Sequence, residues 1–326
     1  MKTVLWVLLD DRMGSVGQAK GIIQALPDSF DIVEKQLVYN KWARLPNMIR
    51  GRSLIGIDKI KSSGLDAPYP DIVLSISRRT TPIARLIKKE SKGKTKIVQL
   101  MHPGNTGIKE LDLIIVPEHD AKKCKGSNFF LVTGCPHRVT RKKLDEAKNS
   151  WEKEFSHLPK PLTSVIIGGA IKGKTFSLEN ALNLGQQIRK IYNILGGSLL
   201  VTTSRRTGIE AQNVIMNELK NIPMHTFLWG EKKENPYMGY LACADRIILT
   251  GDSVSMCSEA CGTGSPVLIF EGNEWLTAKH LRFTKSLFDG GFAYPIDALD
   301  ALEFKPSQIL DTANIIAKRI LELIER

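Results

Sequence analysis

The stretch Tyr240-Leu-Ala-Cys-Ala-Asp-Arg-Ile-Ile-Leu-Thr-Gly-Asp-Ser-Val-Ser-Met-Cys-Ser-Glu-Ala-Cys-Gly-Thr-Gly-Ser-Pro-Val267 decides the fold. It reads in order as a helix, a buried strand near 246–250, a polar turn, a second helix, a glycine-rich turn and a further strand near 266–270. Apolar strands joined by helical crossovers indicate a parallel α/β sheet. Ligands of such sheets bind beyond the carboxyl ends of the strands, which is where the turn Gly251-Asp252-Ser253 falls. Small residues and free N–H groups there suit a diphosphate, with Ser255 in the same helix start. Glu259, about two turns into the helix, is placed to accept from ribose hydroxyls. The plainer alternative is that Asp252 and Ser253 only cap the helix and Glu259 is solvated.

The same alternation extends outward over the whole chain. Strands are expected near 3–9, 31–38, 71–76, 96–100, 112–116 and 129–133, then near 163–168, 198–203 and 223–228. The segment 151–162, with two prolines, reads as a linker between two series of strands. The expected organisation is therefore two Rossmann-like α/β domains, residues 1–155 and 156–305, with parallel sheets facing a cleft. Residues 306–326 follow as an amphipathic helix carrying Ile309, Ala313, Ile316, Ile320 and Ile324.

The two halves echo each other. Asp71-Ile-Val-Leu-Ser-Ile-Ser-Arg-Arg-Thr80 and Gly197-Ser-Leu-Leu-Val-Thr-Thr-Ser-Arg-Arg-Thr207 each run a strand into Ser-Arg-Arg-Thr and then a helix. Thr81-Pro82 offers a cap and first-turn proline, and Thr207-x-x-Glu210 a capping box. An arginine pair at a helix start favours anions, which makes Arg205 and Arg206 candidates for a diphosphate. The alternative is solvated arginines beside a cap.

Composition narrows the classes. The chain has 326 residues, 42% of them hydrophobic and 25% charged, as expected of a folded protein rather than a disordered one. No apolar run approaches the roughly 20 residues of a membrane span. Five scattered cysteines, without a C-x-x-C pair, read as reduced, buried thiols. The net charge of +12 lies wholly in the first half, where residues 1–160 hold 29 Lys and Arg against 17 Asp and Glu. Such a field draws anions, whether acidic lipid, polyanion or phosphorylated substrate. With no recognised nucleic-acid motif beside the charge, nucleic acid is not an expected partner.

Other motifs compete or add. Gly168-Gly-Ala-Ile-Lys-Gly-Lys-Thr175 fits the phosphate-loop pattern after a strand, with Lys174 for phosphates and Thr175 for magnesium. The competing reading makes Gly168 and Gly169 a tight turn, with Lys172 or Lys174 near a diphosphate. Asp10-Asp11-Arg12-Met13-Gly14-Ser15-Val16-Gly17-Gln18 follows the first strand, and Gly14 and Gly17 leave room for a sugar or phosphate; without a third glycine it does not imply NAD. His102, His119 and His137 follow expected strands, and His102, His119 and Asp11 are the candidate general bases. No metal site is expected, since the histidines are not clustered and no D-x-D triplet occurs, leaving cations and helix starts to neutralise a leaving diphosphate. Residues 41–61 mix six basic residues with Trp42, Leu45, Met48, Ile49, Leu54 and Ile55, as for contact with an anionic bilayer or for packing on their own domain.

Asp11–Gln18, His102-Pro103, Val116–Asp120, Thr202–Thr207 and Thr250–Met256 together resemble the mitochondrial-fission ELM family and its bacterial relatives, and more broadly the donor half of GT-B glycosyltransferases. The resemblance covers nearly the whole chain and implies a GT-B-like fold. The function it suggests is transfer from a nucleotide-diphosphate sugar, UDP type favoured, to an acceptor that is lipid-linked or of the envelope, with no further cofactor. A sugar-nucleotide 2-epimerase and a non-catalytic membrane-associated adaptor are the alternatives. The expected location is the cytoplasm, with peripheral attachment to the inner membrane face.

Overall fold

A computed structural model of the chain describes residues 2–302, 304, 306 and 308–325. Met1 and Arg326, the outermost ends of the expected segments, lie outside the described residues. The chain forms two compact units, residues 1–138 with 311–326 and residues 139–310.

The first unit contains β1 (Thr3–Leu9), α1 (Met13–Ala25), β2 (Phe30–Gln36), α2 (Asn47–Arg50), β3 (Ile72–Ser75), α3 (Thr81–Glu90), β4 (Lys96–Leu100), β5 (Leu113–Pro117) and β6 (Phe129–Val132). The second contains α4 (Arg141–Phe155), β7 (Leu162–Ile167), α5 (Leu178–Leu195), β8 (Ser198–Thr203), α6 (Ile209–Glu218), β9 (Met224–Phe227), α7 (Tyr237–Cys243), β10 (Arg246–Thr250), α8 (Val254–Cys261), β11 (Val267–Phe270), α9 (Ala278–Asp289) and β12 (Tyr294–Pro295). The last helix, α10 (Thr312–Ile324), returns to the first unit.

Each unit is built on a six-stranded parallel sheet, ordered β2-β1-β3-β4-β5-β6 in the first and β12-β11-β10-β7-β8-β9 in the second. The central strands are apolar on both faces because helices cover both: Leu5, Val7 and Leu9 join one core, and Trp6 and Leu8 another. In the second unit Val165 and Ile167 face the α5 and α6 side, while Ile166 faces α8 and α9. Strand order reverses about β1 in one sheet and β7 in the other, since the next strand in sequence crosses to the opposite side. That crevice is where doubly wound sheets take ligands. All eleven expected strands form within a residue or two; β12, which pairs Leu268 with Tyr294, was not foreseen.

Four expectations are corrected. The boundary at 155, with a linker over 151–162, falls inside the second unit. Helix α4 buries Leu144 and Phe155 there, and Trp151 lies so close to α7 that a Cβ on Gly239 would meet it at 2.4 Å. The terminal helix starts at Thr312 rather than 306; its Ile316, Ala317 and Ile320 pack in the core of the first sheet beside Ala19 and Ile22, while Ile309 precedes it and is exposed. The capping box at Thr207 does not form, because Gly208 is the N-cap of α6 and the Thr207 hydroxyl donates to the carbonyls of Ile167 and Gly168. Likewise Thr80, not Thr81, precedes α3, although Pro82 does sit in its first turn.

Candidate functional site

At the reversal point of the second sheet, β7 ends on Gly168-Gly169, and both glycines are required by what presses on them. A Cβ on Gly168 would stand 2.1 Å from Asp252 Oδ1, and one on Gly169, at φ +154°, 2.1 Å from the Arg206 carbonyl oxygen. Gly168 N donates to Thr250 Oγ1 at 2.7 Å, and Gly169 N to Asp252 Oδ2 at 3.1 Å. Ala170 N donates to the Arg206 carbonyl at 2.8 Å, and Ser204 Oγ to the Gly168 carbonyl at 2.9 Å. The loops after β7, β8 and β10 are thereby locked together.

The lock holds one ion pair. Asp252 has a side chain with 0% exposure, and Arg206 Nη1 reaches its Oδ2 at 2.6 Å while also donating to the Ala170 carbonyl at 3.2 Å. Asp252 Oδ1 accepts no hydrogen bond among the described residues. A buried carboxylate costs several kcal/mol unless paired, so Asp252 fixes the position of the guanidinium rather than facing a ligand. Arg206 keeps 35% of its side chain exposed, and Arg205 is exposed. The helix start at α8 is capped by Ser253, whose Oγ accepts from Met256 N at 3.4 Å, and Ser255 is half-buried in its first turn. Glu259 accepts from Tyr237 Oη at 2.6 Å.

The phosphate-loop reading of 168–175 is not met. A Walker loop leads directly from its Lys-Thr into a helix. Here residues 171–174 close a tight hairpin, with Ile171 N donating to the Lys174 carbonyl and Lys174 N to that of Ile171. Helix α5 begins only at Leu178, with Ser177 Oγ as its cap. Lys174 Nζ is spent on the carbonyls of Glu274 (2.7 Å) and Leu276 (3.3 Å), so it does not point to a phosphate; Lys172 is exposed at the hairpin tip.

Beside the hairpin opens a polar cavity of about 1050 Å³, lined among others by Ala170, Lys174, Asn180, Asn273 and Trp275. Its floor is fixed by Asn180, which donates to the Asn273 carbonyl (3.1 Å) and accepts from Asn273 N (2.8 Å). Gly272, at φ +64°, permits that approach, since a Cβ there would meet Asn180 Oδ1 at 2.6 Å. Two residues of this region were missed from sequence. Trp275 is buried at the cavity wall, edge-on to Phe176 at 4.6 Å. His280 lies within electrostatic reach of Asp252 and Arg206, its ring bonded to Thr277 Oγ1 at 2.8 Å. Burial lowers the proton affinity of His280, Asp252 opposes this, and Lys279 and Arg206 reinforce it.

In the first unit the candidate bases sit at the ends of three different strands. Asp11, after β1, is exposed and paired with Arg79 at 2.6 Å. His102, after β4, accepts from Gly104 N at Nδ1 (3.1 Å) and stacks on Phe129. His119, after β5, is buried: its side chain is 2% exposed and lies 3.9 Å from Asp120. His137 is buried over Gly21, and Gly14 faces open space at the start of α1. Among the described residues no group of three His, Cys, Asp or Glu could hold a metal ion, and no helix is long and apolar enough to cross a membrane.

Two six-stranded parallel sheets, each with a reversal of strand order, define a two-domain α/β protein of the GT-B-like class. Solved structures bear this out at the level of fold. The UDP-GlcNAc 2-epimerase of Methanocaldococcus jannaschii matches with a TM-score of 0.57 at 12% identity, over 98% of this chain and 100% of that one. MurG of Acinetobacter baumannii matches with a TM-score of 0.51 at 14% identity, over 99% and 100%. The chain belongs to the mitochondrial fission ELM1 family, whose profile matches residues 13–324. An uncharacterized protein of Rickettsia prowazekii (strain Madrid E) is 29% identical over 360 aligned positions, 98% of this chain and 97% of the relative. The mitochondrial fission protein ELM1 of Arabidopsis thaliana is 30% identical over 259 positions, covering 72% of this chain and 59% of that protein.

Proposed function

We propose that the second unit binds a nucleoside diphosphate sugar, with UDP as the favoured nucleotide, and that the protein transfers the sugar. The observation that carries this is Arg206, held by a fully buried Asp252 at the sheet's reversal point, with one side still open to solvent. A guanidinium so fixed meets a diphosphate without further ordering cost, and the exposed Arg205 and the start of α8 add positive potential. Glu259, oriented by Tyr237, takes the ribose. Solved proteins of this fold include UDP-GlcNAc 2-epimerases bound to UDP-GlcNAc, which supports a nucleotide sugar as the ligand class.

In the transfer, an acceptor oxygen attacks the anomeric carbon, the bond from that carbon to the diphosphate breaks, and the nucleoside diphosphate leaves with the electron pair. The acceptor's proton passes to a base, for which Asp11 and His102 are the accessible candidates. Neutralisation of the leaving group by arginine and a helix start is the metal-independent solution. The acceptor's carrier is an anionic membrane, to which the protein attaches peripherally. Trp42, Met48, Ile49 and Ile60 are 54%, 77%, 56% and 95% exposed among basic residues, a composition suited to a bilayer surface.

NMR of UDP-N-acetylglucosamine with the protein tests the reaction. Release of UDP that requires added acceptor is expected. Conversion to the 2-epimer without acceptor would replace transfer by epimerisation, and vesicle binding without any nucleotide binding would replace it by an adaptor role.

A further inference from the structure

The first unit has a pocket of its own at the reversal point of its sheet. It encloses about 910 Å³ and is walled by Arg12, Tyr39, Lys41, Arg44, Arg78 and Arg79. Arg12 follows β1, residues 39–44 follow β2 and Arg78-Arg79 follow β3, three strands that lie side by side as β2-β1-β3. Their carboxyl ends therefore deliver five cations to one concavity. Asn40 sets the turn that carries Lys41 and Arg44, its Oδ1 accepting from Trp42 N at 3.0 Å.

The charge is largely unanswered from within. Asp11 pairs with Arg79, whose guanidinium also lies 4.0 Å over the Tyr39 ring. Among the described residues, Arg12, Lys41, Arg44 and Arg78 make no ion pair. Adjacent to them, Arg50 is 1% exposed, its Nε donates to the Ile55 carbonyl at 3.0 Å, and its Nη2 has no hydrogen-bond partner among the described residues. Burial weakens the hold of Arg50 on its proton, Tyr39 opposes this, and Arg79 and Arg78 add to the weakening. Buried Asp10 is the remaining nearby carboxylate; its Oδ1 accepts from Arg12 N at 3.1 Å. The 26 Lys and Arg against 16 Asp and Glu of this unit provide no compensation at longer range.

Two further observations favour an anion with several oxygens. The first turn of α1 holds no acidic residue, its N-cap Arg12 makes no side-chain cap, and a Cβ on Gly14 would meet nothing within 4 Å, so there is room beside this helix start. The turn Ser77-Arg78-Arg79-Thr80 also repeats the geometry of Ser204-Arg205-Arg206-Thr207. Ser77 N donates to Thr80 Oγ1 at 3.1 Å and Ser204 N to Thr207 Oγ1 at 3.0 Å; Arg79 N donates to Ser77 Oγ at 3.2 Å and Arg206 N to Ser204 Oγ at 3.1 Å. In each turn the second arginine is held by an aspartate at 2.6 Å, leaving the first exposed.

We propose that this pocket of the first unit is a second anion site, specific for a phosphoryl group, as a diphosphate or a phosphate monoester. Planar guanidinium groups on three loops match phosphate oxygens in pairs, which a lone carboxylate would not use. The site does not depend on nucleotide binding in the second unit. Its ligand is either a soluble phosphate compound or the headgroup of a lipid, and two probes separate these: inorganic pyrophosphate, and dihexanoyl phosphatidic acid kept below its micelle concentration.

Titration calorimetry of the full chain with each probe tests the site. Arg12→Ala, Arg44→Ala and Arg78→Ala, made singly and together as a triple variant, remove exposed side chains without ion pairs, so the fold is retained, and Lys94→Ala is a control for net charge. Each arginine variant is expected to weaken binding about tenfold or more, with Lys94→Ala unchanged. Loss with pyrophosphate alone identifies a soluble ligand, and loss with the lipid probe identifies a headgroup. Equal binding by wild type and the triple variant to both probes overturns the proposal. UDP binding that survives in the triple variant keeps the second-unit site separate from this one.

Discussion

Arg206→Ala tests the lock at the reversal point of the second sheet. The substitution removes the guanidinium 2.6 Å from an Asp252 carboxylate that has no exposure of its own. Stranding a buried charge costs about 3–5 kcal/mol. Here the partner is partly exposed and Gly169 N still donates to Oδ2, so the lower end, about 3 kcal/mol, is expected. For a unit of this size each kcal/mol moves the midpoint by about 2–4 °C, giving a fall of roughly 6–12 °C. Thermal unfolding followed by near-UV circular dichroism and tryptophan emission reads this shift, with Trp151, Trp229 and Trp275 reporting on the second unit. Asp252→Asn removes the charge while keeping an acceptor for Gly169 N. The double variant should therefore recover at least half of the loss, because the cost arises from the unpaired carboxylate. A midpoint within about 2 °C of wild type for Arg206→Ala, or strictly additive losses in the double variant, would refute the reasoning.

Two predictions concern pH. Burial favours the protonated form of Glu110, but hydrogen bonds and charge from Arg85 and Arg52 prevail and hold it at about 2, below the ordinary carboxylate value of 4.5. A lowered carboxylate contributes stability that is present above about 4.5 and is lost as pH falls toward about 2. Glu110→Gln should flatten the acid limb of the unfolding curve in that window; an unchanged slope would show that the ion pair carries no net stability. For His280, lowered from 6.5 mainly by burial, the neutral ring contributes stability that is present above about 6.5 and declines as pH falls below it. Nitrogen-resolved NMR should find its titration below 6.5 and find it raised by Arg206→Ala, since Arg206 helps lower it; a midpoint at or above 6.5 in wild type counts against the placement.

The strands were legible because buried parallel strands are short, apolar and bounded by turns, which local sequence displays directly. β12 was not, since two residues ending in Pro295 carry no periodic signal. Partnership between elements was less accessible. Helix α4 is so highly charged that its sequence does not distinguish packing on one unit from packing on the other, and its contacts with α7 and the burial of Leu144 and Phe155 among the second unit's strands assign it. The break at 138–139 has no linker composition, whereas the proline-rich 158–161 marks only the entry to β7. At the site, the sequence offers Arg206 and the turn at Asp252 as separate candidates for one diphosphate. That the carboxylate is buried to hold the guanidinium follows from the β7, β8 and β10 loops meeting over two glycines, a contact between residues 46 positions apart. Trp275 and His280 enter the same region from the loop after β11 and from α9, and no motif announces them.

Calorimetric titration of UDP into the full chain, against Arg205→Ala and the charge-preserving Arg206→Lys, addresses the donor site most directly. Saturable binding is predicted in wild type, weakened about tenfold or more in each variant, since each removes a guanidinium hydrogen bond to a charged ligand. Absence of binding in wild type at millimolar UDP, or equal affinity in all three proteins, would contradict the account.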